Sequence, residues 1–103
     1  MEVINKYLTS AKQHQEAKNT TNHYYLFDDK LVICNKDNDV IKTIQVPTSD
    51  YNGPFAKHMS AQFYQMYYEH DYLLVVVSTR WEDYWFKLYD DKLELSKEYH
   101  PWR

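Results

Sequence analysis

The chain has 103 residues and a formal net charge of −3, with 44% hydrophobic and 17% aromatic residues. This length supports one hydrophobic core, so we expect a single domain over 1–103, and the apolar content argues against a disordered chain. Residues 61–103 carry the negative charge, with five Lys or Arg against eight Asp or Glu, which disfavours binding to a phosphate backbone.

The N-terminal region, 1–20, predicts a helix within residues 2–18. Apolar positions recur there at three- and four-residue spacing, as on the buried side of an amphipathic helix. The stripe comprises Ile4, Leu8, Ala11 and Gln15, flanked by Val3 and Tyr7. A polar run at 19–22 is expected to end the helix.

Three features predict a cytoplasmic protein without a membrane partner. Cys34 is the only cysteine, so an intrachain disulfide is excluded, as is usual in a reducing compartment. The first residues lack the apolar core of a secretion signal. The longest apolar run, at 73–77, is far too short to cross a bilayer.

From Tyr24 onward the hydrophobic period changes to two and predicts about seven antiparallel strands. We place them at 23–28, 30–35, 40–46, 61–69, 72–80, 83–90 and 92–99. The expected organisation is a three-stranded meander over 23–46, a connecting loop over 47–60 and a four-stranded meander over 61–100. The predicted class is therefore mostly β (α+β), with the N-terminal helix and a meander forming a sandwich or partly open barrel. Residues 61–69 also fit a helical stripe, but their tyrosine content favours a strand.

The segment LFDDKLVI at 26–33 returns as LYDDKLEL at 88–95. In both copies an aromatic-rich strand runs into Asp-Asp-Lys-Leu and then into an alternating strand. Asp starts and caps tight turns, so the repeat predicts the same hairpin used twice rather than two active sites. With one glycine in the chain, Asn and Asp are expected at turn positions of positive φ.

No motif for metal binding or catalysis passes its spacing test. The polar run 35–39 resembles a calcium loop, but Val40 and Val46 stand where that loop needs Gly and Glu. The histidines lack zinc-site spacing, and Cys34 reads as a buried apolar side chain. One glycine excludes phosphate loops and the G-x-S-x-G elbow. We therefore predict no enzyme activity, no metal and no cofactor.

An acid–base pair assembled from the two acidic turns also fails. The turns at 69–71 and 82–83 flank the predicted strand 72–80 at its opposite ends. At about 3.3 Å per residue they lie about 30 Å apart, too far for one catalytic site.

The most suggestive surface combines rings and carboxylates at these two turns. Exposed Trp beside carboxylates is typical of protein-binding hot spots, and Trp81 is expected at a hairpin tip. The alternative is that Trp81 and Trp85 belong to the core. The predicted partner-binding residues are Glu69, Asp71, Tyr72, Trp81, Glu82 and Asp83.

These patterns predict a small acidic binding protein that masks a basic protein partner. The most concrete form is a bacterial immunity protein or antitoxin that covers the cleft of a toxin, for example a nuclease. Nucleic acid is an unsuitable partner, because the aromatic residues lie among acids. The alternative is a carbohydrate or small-ligand module with an aromatic-lined face. The oligomeric state is left open.

Overall fold

The computed structural model describes residues 6–46, 61–79, 83–89 and 91–96. It is mostly antiparallel β, as the period-two pattern predicts. A 3₁₀ helix, Lys6–Ser10, precedes eight strands. The strands are β1 (Gln13–Glu16), β2 (His23–Leu26), β3 (Lys30–Cys34), β4 (Val40–Gln45), β5 (Gln62–Glu69), β6 (Tyr72–Ser78), β7 (Asp83–Tyr89) and β8 (Lys92–Leu95).

The predicted N-terminal helix is wrong. Only five residues form a 3₁₀ helix, and Gln13–Glu16 is an edge strand paired with β2. Intrinsic helix preference is a weak force, and a short helix without a packing partner is marginal in water. The hydrogen bonds of the β1–β2 ladder therefore decide the conformation. Leu8 is nevertheless buried, as the stripe predicted.

The single sandwich or partly open barrel is also wrong. The strands form two separate sheets, in the orders β1-β2-β3-β4 and β5-β6-β7-β8, which we call the N-terminal and C-terminal sheets. Each is a meander of antiparallel neighbours, because the connections between consecutive strands are short. All seven predicted strands are present within these sheets, including the strand preferred over a helix at 61–69.

One hydrophobic cluster joins the two sheets. It takes alternate residues from the central strands, which is the signature of a sheet face turned to a core. Its buried members are Tyr24, Leu26, Leu31, Ile33, Phe63, Met66, Leu73, Val75, Val77, Phe86 and Leu88. A second, smaller cluster lies on the other side of the N-terminal sheet, where Leu8 covers Val32 and Cys34.

Both copies of the octapeptide pair their flanking strands in the same antiparallel register, as the predicted hairpin requires. Leu26 pairs with Leu31 across the first turn, and Leu88 pairs with Leu93 across the second. Positive φ occurs at Asn38 and at His70, both in turns, which confirms the expectation for Asn. No helix among the described residues is long and apolar enough to span a membrane.

Candidate functional site

The turn between β5 and β6 brings together three of the predicted binding residues. Glu69 and Tyr72 are cross-strand partners, and Asp71 lies at the tip between them. The Tyr72 hydroxyl donates a hydrogen bond to Glu69 Oε2 at 3.2 Å. His70 has a φ of 57°, so the tight turn is made without glycine. This corner lies at one end of the C-terminal sheet.

Beside this corner a groove of about 480 Å³ opens between the two sheets. We call it the tyrosine groove, because four tyrosines line it: Tyr24, Tyr68, Tyr72 and Tyr89. The volume lies in the range of ordinary ligand sites, about 300–1,000 Å³. Predicted residues Asp71 and Tyr72 belong to its wall.

Strand register explains why the groove has an apolar floor. Tyr24 is paired with Ile33 in the N-terminal sheet, while Leu73 is paired with Leu88 in the C-terminal sheet. These pairs point to the space between the sheets, where they form part of the shared core. Tyr89 directly follows Leu88 at the end of β7, lines the groove and is 46% exposed.

The rim of the groove is polar and differs between its two sides. The C-terminal sheet contributes the carboxylates of Asp71 and Asp91, both exposed. The segment between β1 and β2 contributes one amine, two amides and a hydroxyl, from Lys18, Asn19, Asn22 and Thr20. Such convergent polar groups around an apolar floor are the usual anatomy of a recognition site.

Lys18 closes one end of the groove. Its ammonium donates to the backbone carbonyl oxygen of His70 at 2.7 Å and lies 4.5 Å from the centre of the Tyr68 ring. The Tyr68 hydroxyl donates to the carbonyl oxygen of Glu16. Burial raises the pKa of Tyr68, and the negative charge of Glu16 acts in the same direction, so the hydroxyl stays neutral. Because Lys18 is engaged, Asp71 is the exposed charged group at this end of the groove.

At the other end, Asp91 is only loosely compensated. Its carboxylate lies 3.6 Å from the ammonium of Lys42, and both side chains are about half exposed, at 55% and 40%. Ion pairs of this kind contribute about 0–1 kcal/mol because water screens them. Lys42 therefore holds Asp91 only weakly.

The remaining predicted residues are not part of this corner. Asp83 begins β7 opposite Ser78, at the far end of β6 from Tyr72. Six residues at about 3.3 Å each separate these ends by about 20 Å. Trp81 and Glu82 lie outside the described residues. Of the four predicted residues that the structure describes, Glu69, Asp71 and Tyr72 lie together and Asp83 lies at the other end of β6.

Sequence reasoning missed the other wall of the groove. Tyr24 and Tyr68 belong to different sheets, and nothing in their local pattern indicates that they meet. Tyr89 and Asp91 had a usable signal, because they flank the turn of the second octapeptide copy and the strand pairing places that turn at the same end as the β5–β6 turn.

Trp85 lies outside the tyrosine groove. It faces the outer side of the C-terminal sheet, opposite Val76, and is half-buried. Its indole Nε1 donates to the Tyr67 hydroxyl at 3.0 Å. Trp85 is therefore a packed side chain with a satisfied donor rather than an exposed anchor.

A histidine pair forms a second polar cluster, on the outer side of the N-terminal sheet. His14 Nε2 and His23 Nδ1 lie 2.9 Å apart and share one hydrogen bond, and the His14 ring stacks on Tyr25 with centroids 4.6 Å apart. Burial lowers the pKa of His14, the charge on His23 lowers it further, and Glu16 opposes both effects.

The described residues hold no group of three or more His, Cys, Asp or Glu placed to bind a metal ion. In the run that resembles a calcium loop, Asn35 Oδ1 accepts hydrogen bonds from the backbone N–H groups of Asp37 and Asp39, which is a turn cap. Cys34 is buried, and burial followed by the charge of Asp39 raises its pKa, so it remains a neutral thiol.

No protein-family model, no curated protein and no solved structure matches this chain, so its site is interpreted from its own geometry.

Proposed function

We propose that this chain is a non-enzymatic binding protein that recognises a basic protein partner through the tyrosine groove. The observation that carries the proposal is the combination of an apolar tyrosine floor with carboxylates at the rim. In its most concrete form the protein is a cytoplasmic immunity protein or antitoxin that covers the cleft of a toxin, for example a nuclease.

The composition of the groove supports a protein partner. Tyr72 and Tyr89 line the groove and belong to the residue types that dominate binding energy in protein interfaces, and the Tyr72 ring lies 4.5 Å from the ammonium of Lys87. Asp71 and Asp91 flank these rings and offer acceptors for Lys or Arg side chains. The excess of acidic residues in 61–103 gives the surrounding surface the charge that attracts a basic protein.

A matched pair of exposed tyrosines tests the proposal. Tyr89 is 46% exposed and lines the groove, whereas Tyr64 is 49% exposed on β5 and does not. We expect Tyr89→Ala to weaken binding by about 2 kcal/mol or more, close to 30-fold, and Tyr64→Ala to change it by less than about threefold. The measurement is calorimetric titration with the basic protein captured from native lysate and then purified.

Charge at the rim is tested separately through kinetics. Asp71→Asn is expected to slow association and reduce its dependence on salt, with little change in dissociation. Trp81→Ala and Glu82→Gln, measured in the same assay, test whether the second predicted turn also contributes to binding. If the wild type and Tyr89→Ala bind the same partner with equal affinity, the groove is not part of the interface.

The second candidate is a carbohydrate module using the same groove. The observation that favours it is the row of amide and hydroxyl groups on the opposite rim, from Asn19, Thr20 and Asn22. Sugars are bound by aromatic stacking together with such convergent hydrogen-bonding groups.

Thermal melting distinguishes the two candidates. A ligand that binds only the folded state raises the melting temperature. Glucose and N-acetylglucosamine oligosaccharides are the probes, with Tyr89→Ala as the control. A rise that Tyr89→Ala abolishes supports the carbohydrate module, and an unchanged melting temperature supports the protein partner.

A further inference from the structure

The four edge strands of the two sheets are protected to different degrees. Edge strands carry unpaired backbone groups, and proteins normally cover them or give them charged side chains. β1 and β5 cover each other, since Gln13 Oε1 accepts from the Met66 N–H and Lys12 donates to the Phe63 carbonyl oxygen at 3.0 Å. β8 is protected by exposed charges at Lys92 and Glu94.

β4 is the exception among the described edge strands. Its sequence, VIKTIQ, has one charged residue, Lys42, and that ammonium already faces Asp91. Val40 and Ile41 are 43% and 54% exposed, among the most exposed large apolar side chains described. β4 therefore presents an apolar edge with little charge.

The strand register shows which backbone groups point away from β3. The Val46 N–H donates to the Asp29 carbonyl oxygen at 3.1 Å, so residue 46 is bonded toward β3. Bonding direction alternates along an antiparallel strand, and Ile44 and Lys42 therefore share this direction. Thr43 and Gln45 direct their N–H and C=O groups to the open side.

We propose that β4 pairs with β4 of a second copy of this chain, antiparallel about a two-fold axis at Thr43. The pairing joins two N-terminal sheets into one sheet of eight strands. It sets outward groups against outward groups, with Thr43 opposite Thr43, whereas Ile41 lies at the register shift of β4 and is left out of this regular pairing. Lys42 falls opposite Ile44, so no like charges oppose each other, and Thr–Thr is a favourable cross-strand pair.

A second copy is the occupant that fits this edge. The partner strand must have an unpaired edge, little charge, and backbone N–H and C=O groups that point outward at positions matching Thr43 and Gln45. In the described part of the chain, β4 alone meets these conditions. A two-fold axis also closes the assembly at a dimer, because each copy uses its open edge once. One pair of short strands buries little area, so the dimer is expected to be weak and concentration-dependent.

Cross-linking at the axis is the sharpest test. Thr43 is exposed, and the axis places it beside itself, within the Cα separation that a disulfide requires. Under mild oxidation Thr43→Cys should form a covalent dimer about tenfold faster than Gln62→Cys, an exposed control on β5. Cys34 is buried and does not compete. Equal rates for the two variants would overturn the proposed axis.

Sedimentation velocity over a wide concentration range tests the dimer without any new cysteine. Wild type should shift from monomer to dimer, and Thr43→Pro, which removes an outward N–H at an edge that tolerates proline, should remain monomeric. Ile41→Lys should do the same, whereas Tyr64→Lys, an equally exposed apolar-to-lysine change, should still dimerise. A wild type that stays monomeric at every concentration overturns the proposal, and circular dichroism verifies that the variants fold. None of these measurements uses a groove ligand, so the result is independent of the proposed function.

Discussion

The two copies of the octapeptide pair their strands in the same register but lie at different positions in their sheets. The first copy ends in β3, an interior strand between β2 and β4, and the second ends in β8, an edge strand. Four consecutive residues of β3, Leu31–Cys34, are buried, whereas β8 alternates between exposed and half-buried. The difference is concentrated where Val32 corresponds to Glu94.

The comparison separates local from global control of structure. The turn is local, because Asp, Asp and Lys occupy the same positions in both copies and set the same register. Burial is global, because the 3₁₀ helix covers one side of β3 through Leu8, while Glu94 lies exposed opposite Lys87. The sequence of a hairpin therefore determines how its strands pair but not how deeply the hairpin is buried.

Exchanging Val32 and Glu94, the residues that differ between the two copies, should have the largest effect on the free energy of unfolding. Val32→Glu places a carboxylate in the buried apolar cluster of Leu8 and Cys34, and we expect a loss of at least about 3 kcal/mol in the free energy of unfolding. The matched change Glu94→Val on the exposed side should cost less than about 1 kcal/mol. Urea unfolding measures both. Similar losses of stability for the two variants would contradict the difference in burial between Val32 and Glu94.

Trimming the equivalent leucines should give the next largest difference. Leu31 is fully buried in the shared core, while its counterpart Leu93 is half-buried at the edge. Leu31→Ala is expected to cost about 2–5 kcal/mol and Leu93→Ala about half as much, since the edge can relax into the vacated space. Denaturant midpoints at constant m-value check the ratio, and a larger loss for Leu93→Ala would contradict it.

The junction between the sheets should be less sensitive. Gln13→Ala leaves the Met66 N–H without its side-chain acceptor, and we expect a loss of about 1–2 kcal/mol. Gln45→Ala, an exposed glutamine on β4, serves as the control and should change stability by less than about 0.5 kcal/mol. Amide exchange at Met66 should accelerate in Gln13→Ala alone; unchanged exchange would show that the junction is made elsewhere.

The smallest effect concerns pH. The folded state lowers the pKa of His14 from its ordinary value of 6.5, so the unfolded chain binds this proton more tightly. The stabilising contribution is complete above pH 6.5 and is lost as the pH falls through 6.5 toward the folded pKa. An NMR titration should place the His14 midpoint below 6.5, and His23→Gln should move it upward. A midpoint unaffected by His23→Gln would contradict the lowering of the His14 pKa by the charge on His23.

Features of the fold that depend on interactions between sequence neighbours were predicted, and features that depend on contacts between distant residues were not. The seven strands and the repeated hairpin were predicted because alternation and turn residues act over a few positions. The N-terminal segment was misassigned because the spacing of Leu8 and Ala11 fits a helix, whereas pairing of Gln13–Glu16 with β2 is a contact with a later part of the chain. The corner of Glu69, Asp71 and Tyr72 was predictable for the same local reason as the hairpins.

The sequence by itself determined where strands begin and turn, since backbone preference and side-chain alternation are properties of neighbouring residues. Only the tertiary structure decided the division into two sheets, the covering of β3 and the meeting of Tyr24 with Tyr89 in one groove. Those features depend on which faces exclude water together, and that free energy belongs to surfaces from distant parts of the chain.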